Sequence, residues 1–347
     1  MREYLYCLAT DKKNGPVAGI LKFFLFILSL IYGILVRIML FGCRLFPAQA
    51  RCKVIAIGNI TVGGTGKTTL AAHIAEFLKS QGHKTAIISR GYKRIAAGMG
   101  DEPSMLAGKL PGIPVIVDAN RLRGISRAIR DYAVDTVILD DALQQWRIIK
   151  DLEIVTIDAA NPFGNCKMLP RGILRQPLST LKDASLFVLT KINLAGELKS
   201  TKEALNKLNP AAAIIESVHQ PIGFYSLAKA DDLLPLQAMK GKAAVLFSGI
   251  GDPGSFAAII GGLGIKIAAN FVFADHHQYR AKDLEKIIQI AREKISDAII
   301  TTEKDAARLS GLKSVFGKPQ VLVLRIQLQI TENAQILQQR LLSLYRA

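Results

Sequence analysis

Apolar residues along this chain fall into three kinds of run. The first is long: residues 17–43 are almost wholly apolar, broken by Lys22 and Arg37. This predicts a helix, and its unbroken part, residues 23–36, spans about 21 Å, short of a bilayer core of about 30 Å. The second kind is short and β-branched. Residues 53–57, Thr85–Ser89, 135–139, 154–157 and 186–189 read as buried strands. The third kind has apolar residues at helical spacing, as in 69–79 and 332–345. Strands alternating with helices imply right-handed βαβ units and a mainly parallel sheet flanked by helices, an α/β architecture.

On a helical wheel Gly15, Lys22, Ser29, Gly33, Arg37 and Arg44 fall within a sector of about 80°, interrupted by Phe26, Val36 and Leu40. Three placements fit such a helix: a buried core element, a single span with snorkelling charges, and a monotopic anchor lying in the interface or docked on its own domain. Lys12, Lys13 and Lys22 precede or enter the segment, while Arg37, Arg44, Arg51 and Lys53 close it. Basic residues at both ends favour a helix that stays on one anionic membrane face. Residues 1–15 are too long and mixed for a signal-peptide n-region, and no small-x-small cleavage pattern follows.

A chain of 347 residues, half of them hydrophobic, suggests two domains with ample cores and excludes a disulfide-stapled scaffold or a disordered tail. Cys7, Cys43, Cys52 and Cys166 form no C-x-x-C pair, which argues against zinc and for a reducing compartment. The net charge of +17 calls for an anionic partner. With one Trp and no recognition-helix, RNP-like or zinc-finger pattern, that partner is not expected to be nucleic acid. A phosphorylated substrate and an anionic membrane surface remain.

The chemistry is announced after the first short strand. Thr61-Val62-Gly63-Gly64-Thr65-Gly66-Lys67-Thr68 lies between a strand and an amphipathic helix, the context of a P-loop. Glycines let backbone N–H groups converge on phosphate oxygens at a helix N-terminus. Lys67 sets a charge against the β- and γ-phosphates, and Thr68 offers a hydroxyl to Mg²⁺. Thr61 departs from the consensus first glycine. Asp140 and Asp141 follow an apolar strand as a Walker-B acid pair would, at the sheet edge beside the metal. Asn193 stands where a guanine-reading motif ends in aspartate, which disfavours GTP. Val62 replaces the extra lysine of partitioning ATPases.

These residues, together with Ser89-Arg90-Gly91-Tyr92, Gly100-Asp101-Glu102-Pro103, Asn161-Pro162-Phe163-Gly164, Phe247-Ser248-Gly249-Ile250, Ala274-Asp275-His276-His277 and Thr302-Glu303-Lys304-Asp305, resemble the tetraacyldisaccharide 4′-kinases of lipid A biosynthesis. The likeness runs from about Ala56 to Ala307. It implies transfer of the ATP γ-phosphate to the 4′-hydroxyl of a tetraacylated glucosamine disaccharide 1-phosphate, with Mg²⁺, at the cytoplasmic face of the inner membrane. The active site of the family lies between a P-loop domain and a smaller C-terminal domain. Asp101 matches the family's catalytic aspartate and His276 its assisting histidine. Residues 61–68 match the ATP loop, Thr68, Asp140 and Asp141 the metal ligands, and Arg121 and Arg175 positions near phosphate or substrate.

The family's Asp-Asp-Gly-Phe-Gln-His run reads Asp140-Asp141-Ala142-Leu143-Gln144-Gln145 here, and Gln176 stands for a glutamate. Ala142 would be strained if its position required positive φ. The expected organisation is a membrane-associated helical segment (1–50), a P-loop kinase core (51–213), a smaller α/β domain (214–326) and a terminal helix returning to the core (327–347), with a linker at 209–213. A monomer needing no obligate protein partner is expected. Two other functions fit the P-loop: a membrane-associated ATPase switch, and a divergent relic with reduced kinase activity.

Overall fold

The computed structural model describes residues 2–91, 100–227, 229–309, 312 and 319–346. The chain begins with α1 (Arg2–Ala9) and α2 (Pro16–Leu45), the latter about 45 Å long at 1.5 Å per residue. By length and composition α2 is apolar enough to cross a membrane. Of its residues only Ala18, Ser29, Gly33 and Val36 are buried, whereas Phe23, Phe24, Ile31, Ile34 and Ile38 are exposed. This removes the buried-core placement. The middle of the polar stripe faces inward: Ser29 and Gly33 are buried, and Ser29 Oγ donates to Met168 O at 2.9 Å, while Tyr32 OH beside it donates to Arg175 O at 2.8 Å. Small and polar residues therefore dock the helix, and the large apolar ones are left outside.

There follow β1 (Lys53–Gly58), α3 (Lys67–Ser80), β2 (Thr85–Ser89), α4 (Asp101–Lys109), β3 (Val115–Val117), α5 (Arg121–Tyr132), β4 (Thr136–Asp140), β5 (Leu152–Asp158), β6 (Leu186–Thr190) and α6 (Lys199–Leu208). The second half holds β7 (Ala213–Ser226), β8 (Lys229–Leu234), β9 (Ala243–Ser248), α7 (Pro253–Gly262), β10 (Lys266–Val272), α8 (Ala281–Glu293), β11 (Ala298–Thr302), α9 (Glu303–Arg308), β12 (Gln320–Glu332) and α10 (Ala334–Ser343). Residues 85–89 coincide with β2, 135–139 lies one residue ahead of β4, and 53–57, 154–157 and 186–189 fall one or two residues short of the ends of β1, β5 and β6.

The chain divides into two compact units, residues 1–90, 112–218 and 330–347 in the first, and 91–111 and 219–329 in the second. In the first, strands run parallel in the order β6-β5-β1-β4-β2-β3. Both faces of this sheet are covered, so its strands are apolar throughout rather than alternating. The register pairs Ile57 with Asp140, which sets the end of β1 level with the acid end of β4. The second unit has its own parallel order β10-β9-β11-β12. Val245, Phe247, Ile299 and Val323 line one of its faces, and Leu246, Ile300, Leu322 and Leu324 the other.

Against expected boundaries at 213/214 and 326/327, the chain divides at 218/219 and 329/330. The chain passes from unit to unit inside β7 and β12, long strands of 14 and 13 residues. Residues 209–213 stay in the first unit, where Asn209 Nδ2 donates to the carbonyls of Leu181, Lys182 and Ala184. Residues 91–111 belong to the second unit although they interrupt the P-loop core in sequence. There α4 packs on α9 through a Glu102–Lys304 ion pair, and Lys109 Nζ donates to Ile326 O at 3.1 Å. The C-terminal segment docks on the first unit: Asn333 Nδ2 donates to Ile214 O at 2.8 Å, and Tyr345 stacks on His83.

Candidate active site

At the C-terminal edge of the first sheet, β1 runs into the glycine-rich loop and α3 begins at Lys67. Gly63 (φ 135°) and Gly66 (φ 77°) take the left-handed backbone that a side chain would resist. Thr61 is buried and paired through its backbone with Leu174, so the missing consensus glycine is not where the loop bends. The back of the loop is buttressed. Thr65 Oγ1 lies 2.8 Å from Thr156 Oγ1 on β5, and Thr190 Oγ1 on β6 donates to Thr65 O at 3.1 Å. The helix dipole and the first amide groups of α3 thus meet a loop of settled shape, a ready anion site.

Charged side chains gather at this edge. Lys67 Nζ donates to Asn59 Oδ1 at 2.9 Å and lies 3.6 Å from Asp141 Oδ1. Arg175 forks onto both oxygens of Asp141, at 2.8 and 3.2 Å, and also donates to Asn59 O at 2.9 Å. Thr68 Oγ1 donates to Asp140 Oδ2 at 3.2 Å. Burial works against the charge of Asp141, but Lys67 and Arg175 outweigh it and hold the carboxyl at about 2. A hydroxyl beside two carboxylates is a hard-oxygen donor set, which suits Mg²⁺ completed by phosphate oxygens and water.

Arg121 is only 2% exposed, and its Nη2 donates to Asp140 O at 3.1 Å while Nη1 donates to Asp118 O at 2.7 Å. It grips the strand end from behind. Asn59 is a site residue to which the motif assigns no role. It is buried between strand and loop and accepts from both Lys67 and Arg175. Its one sequence signal is a lone amide between an apolar strand and the glycines.

Ala142 raises no backbone difficulty: the left-handed residue of this turn is Asp141 (φ 51°), and Ala142 N donates to Ile57 O at 2.9 Å. Gln176 is 1% exposed, and its Oε1 accepts from the indole N–H of Trp146 at 3.2 Å. An uncharged amide fits that partner well.

The second unit holds the other two candidates. Asp101 opens α4 directly after Gly100. His276 sits in a left-handed turn (φ 60°), its N–H donating to Gly249 O at 3.1 Å. Arg308 reaches its Nδ1 at 3.3 Å and donates to Gly249 O at 2.7 Å and Asp305 Oδ1 at 2.9 Å. Asp305 is fully buried and also receives Gly249 N–H, Tyr279 OH and Thr302 Oγ1. Burial raises its carboxyl despite these donors. The Thr302-Glu303-Lys304-Asp305 run is thereby explained as a helix cap and a buried anchor, and Arg308 and Tyr279 are partners that sequence reading missed. Tyr92 lies outside the described residues.

A strand, a glycine-bent loop and a helix that together set lysine, hydroxyl and paired carboxylates at one sheet edge define a P-loop nucleotide-phosphate site. The class is that of the P-loop NTPases and kinases. A sequence model described as tetraacyldisaccharide-1-P 4′-kinase matches residues 21–346, and the chain belongs to that family. A tetraacyldisaccharide 4′-kinase of Halothermothrix orenii is 36% identical, with 86% of each chain covered. That of Elusimicrobium minutum is 35% identical over 92% of this chain and 90% of its own. The crystal structure of LpxK from Aquifex aeolicus in complex with ATP superposes with a TM-score of 0.71 at 24% identity, covering 94% of this chain and all of that one, and so shares the fold.

Proposed function

We propose that this protein is a lipid kinase that moves the γ-phosphoryl group of ATP to the 4′-hydroxyl of a tetraacylated glucosamine disaccharide 1-phosphate. The observation that carries the reading is the gathering of Lys67, Thr68, Asp140 and Asp141 at a P-loop in a chain of this family. The amides of residues 61–68 and the Lys67 ammonium bind the β- and γ-phosphates. Thr68, Asp140 and Asp141 would hold Mg²⁺, which would supply neutralisation of phosphate charge there. Arg175 adds positive charge on the phosphate and substrate side, and Arg121 holds the end of β4 that carries Asp140.

Asp101 accepts the proton of the acceptor hydroxyl as its oxygen bonds to the γ-phosphorus. The bond from that phosphorus to the bridging oxygen breaks, and its electron pair leaves on ADP. His276 assists Asp101. The apolar side of α2 rests in the cytoplasmic leaflet of the inner membrane, its basic ends against anionic lipid, so acyl chains of the substrate stay in the bilayer. The enzyme works as a monomer.

Purified protein incubated with labelled ATP, Mg²⁺ and the 1-phosphorylated acceptor should yield a labelled bisphosphorylated glycolipid. ATP hydrolysis stimulated by another protein, with no labelled lipid, would mark a switch instead. For the membrane arm, Ile31→Asp on the exposed face of α2 should weaken co-sedimentation with anionic vesicles; undiminished binding would contradict it.

A further inference from the structure

We infer that Arg308 is a positioning residue that fixes the His276 ring with the Nδ1 lone pair toward its guanidinium and the ring proton on Nε2. The imidazole then serves as a hydrogen-bond donor, and the hydroxyl proton goes to Asp101 rather than to the ring. The inference rests on the kinase reading above.

A guanidinium carries donors only and keeps its charge. With Arg308 Nη2 3.3 Å from His276 Nδ1, that nitrogen must present its lone pair, and the ring proton sits on Nε2. A proton at Nδ1 would point at a guanidinium N–H, donor against donor. The acid on the other side of the ring agrees, since Asp275 Oδ2 lies 3.8 Å from Nε2 and favours the proton there. Arg308 has little freedom to yield. Its side chain is fully buried, and its Nη1 is tied to Asp305 and to the Gly249 carbonyl. That same carbonyl accepts the His276 backbone N–H, so one oxygen sets both the guanidinium and the turn that carries the ring.

The wild-type protein can be tested by ¹⁵N NMR of its imidazoles, with His276 assigned from His276→Gln. The expected signature is a protonated Nε2 and a bare Nδ1; a protonated Nδ1 overturns the proposal. In kinetics, Arg308→Met should lower kcat for acceptor phosphorylation by about tenfold or more. KM for ATP should stay within about twofold. Arg308→Lys should recover part of the loss. The double variant Arg308→Met/His276→Gln should be no slower than His276→Gln alone, because Arg308 acts through the ring. Losses that multiply overturn the proposal. If Arg308→Met does not fold, the wild-type spectrum and Arg308→Lys still decide the matter. A wild-type enzyme that phosphorylates no glycolipid sinks the kinase reading and the catalytic half of this inference, whereas the spectrum judges the tautomer separately.

Discussion

Each unit of this protein holds an Arg–Asp pair, and the two are used in opposite ways. In the first unit Arg175 meets Asp141 at 2.8 Å, and the carboxylate side chain is 44% exposed. In the second Arg308 meets Asp305 at 2.9 Å, with both side chains sealed from solvent. A solvated pair contributes at most about 1 kcal/mol, so its charges can turn toward a phosphate or a cation at little loss. A buried pair is different, because removing one partner strands a charge and costs about 3–5 kcal/mol. The electrostatics diverge in the same sense. Burial acts against both carboxylates, but Lys67 and Arg175 bring Asp141 down to about 2, whereas burial prevails at Asp305. The first unit keeps its charges available for a ligand. The second commits them to holding a loop.

The sharpest test of this division of labour is turnover. Asp101→Ala, in the second unit, should lower kcat by about 10²–10⁴ while leaving the ATP dissociation constant unchanged in a calorimetric titration. Weakened ATP binding would place Asp101 in the wrong role. Next in size is stability: Asp305→Ala should cost about 3–5 kcal/mol in urea unfolding, against less than about 1 kcal/mol for Asp141→Ala. Equal costs would erase the contrast between the pairs.

Lys67→Ala should then weaken ATP binding by about 1.5–3 kcal/mol, the worth of charge-assisted hydrogen bonds. Unchanged affinity would contradict the P-loop assignment. The smallest effect concerns acid. Because the folded Asp141 carboxyl is held below its ordinary value, its ion pairs stabilise the fold fully above about pH 4 and are lost as pH falls toward about 2. Wild type and Asp141→Asn should therefore differ by a constant amount from pH 5 to 8 and converge in acid unfolding curves. A difference that instead grows or shrinks across pH 5–8 would break that account.

The P-loop site was legible because its parts are local. Gly66, Lys67 and Thr68 are consecutive, and a strand before them with a helix after is a pattern of period and composition. Asp140 and Asp141 could be read for the same reason, as acids closing an apolar strand. Asn59 carries no role in the sequence because a single amide makes no pattern. Ala142 was suspected of strain on the strength of one replaced glycine, yet the turn places its left-handed residue one position earlier, at Asp141. The small and polar stripe of α2 could be drawn on a wheel, but not its direction. Contacts with Met168 and Arg175, over 130 residues away in sequence, decided that it faces the protein.

By itself, then, the order of residues determined the alternation of strands and helices, the phosphate loop and its acids, the long apolar helix as an element, and the family likeness. These depend on neighbours along the chain, where backbone geometry and side-chain period act within a few residues. Only the tertiary structure decided that residues 91–111 join the second unit, that β7 and β12 serve both units, and that Arg308 reaches His276. The physical reason is that such pairings can join distant positions, as Glu102 and Lys304 do across 202 residues. Burial and packing select those partners from many chemically equal candidates, and no local pattern records the choice.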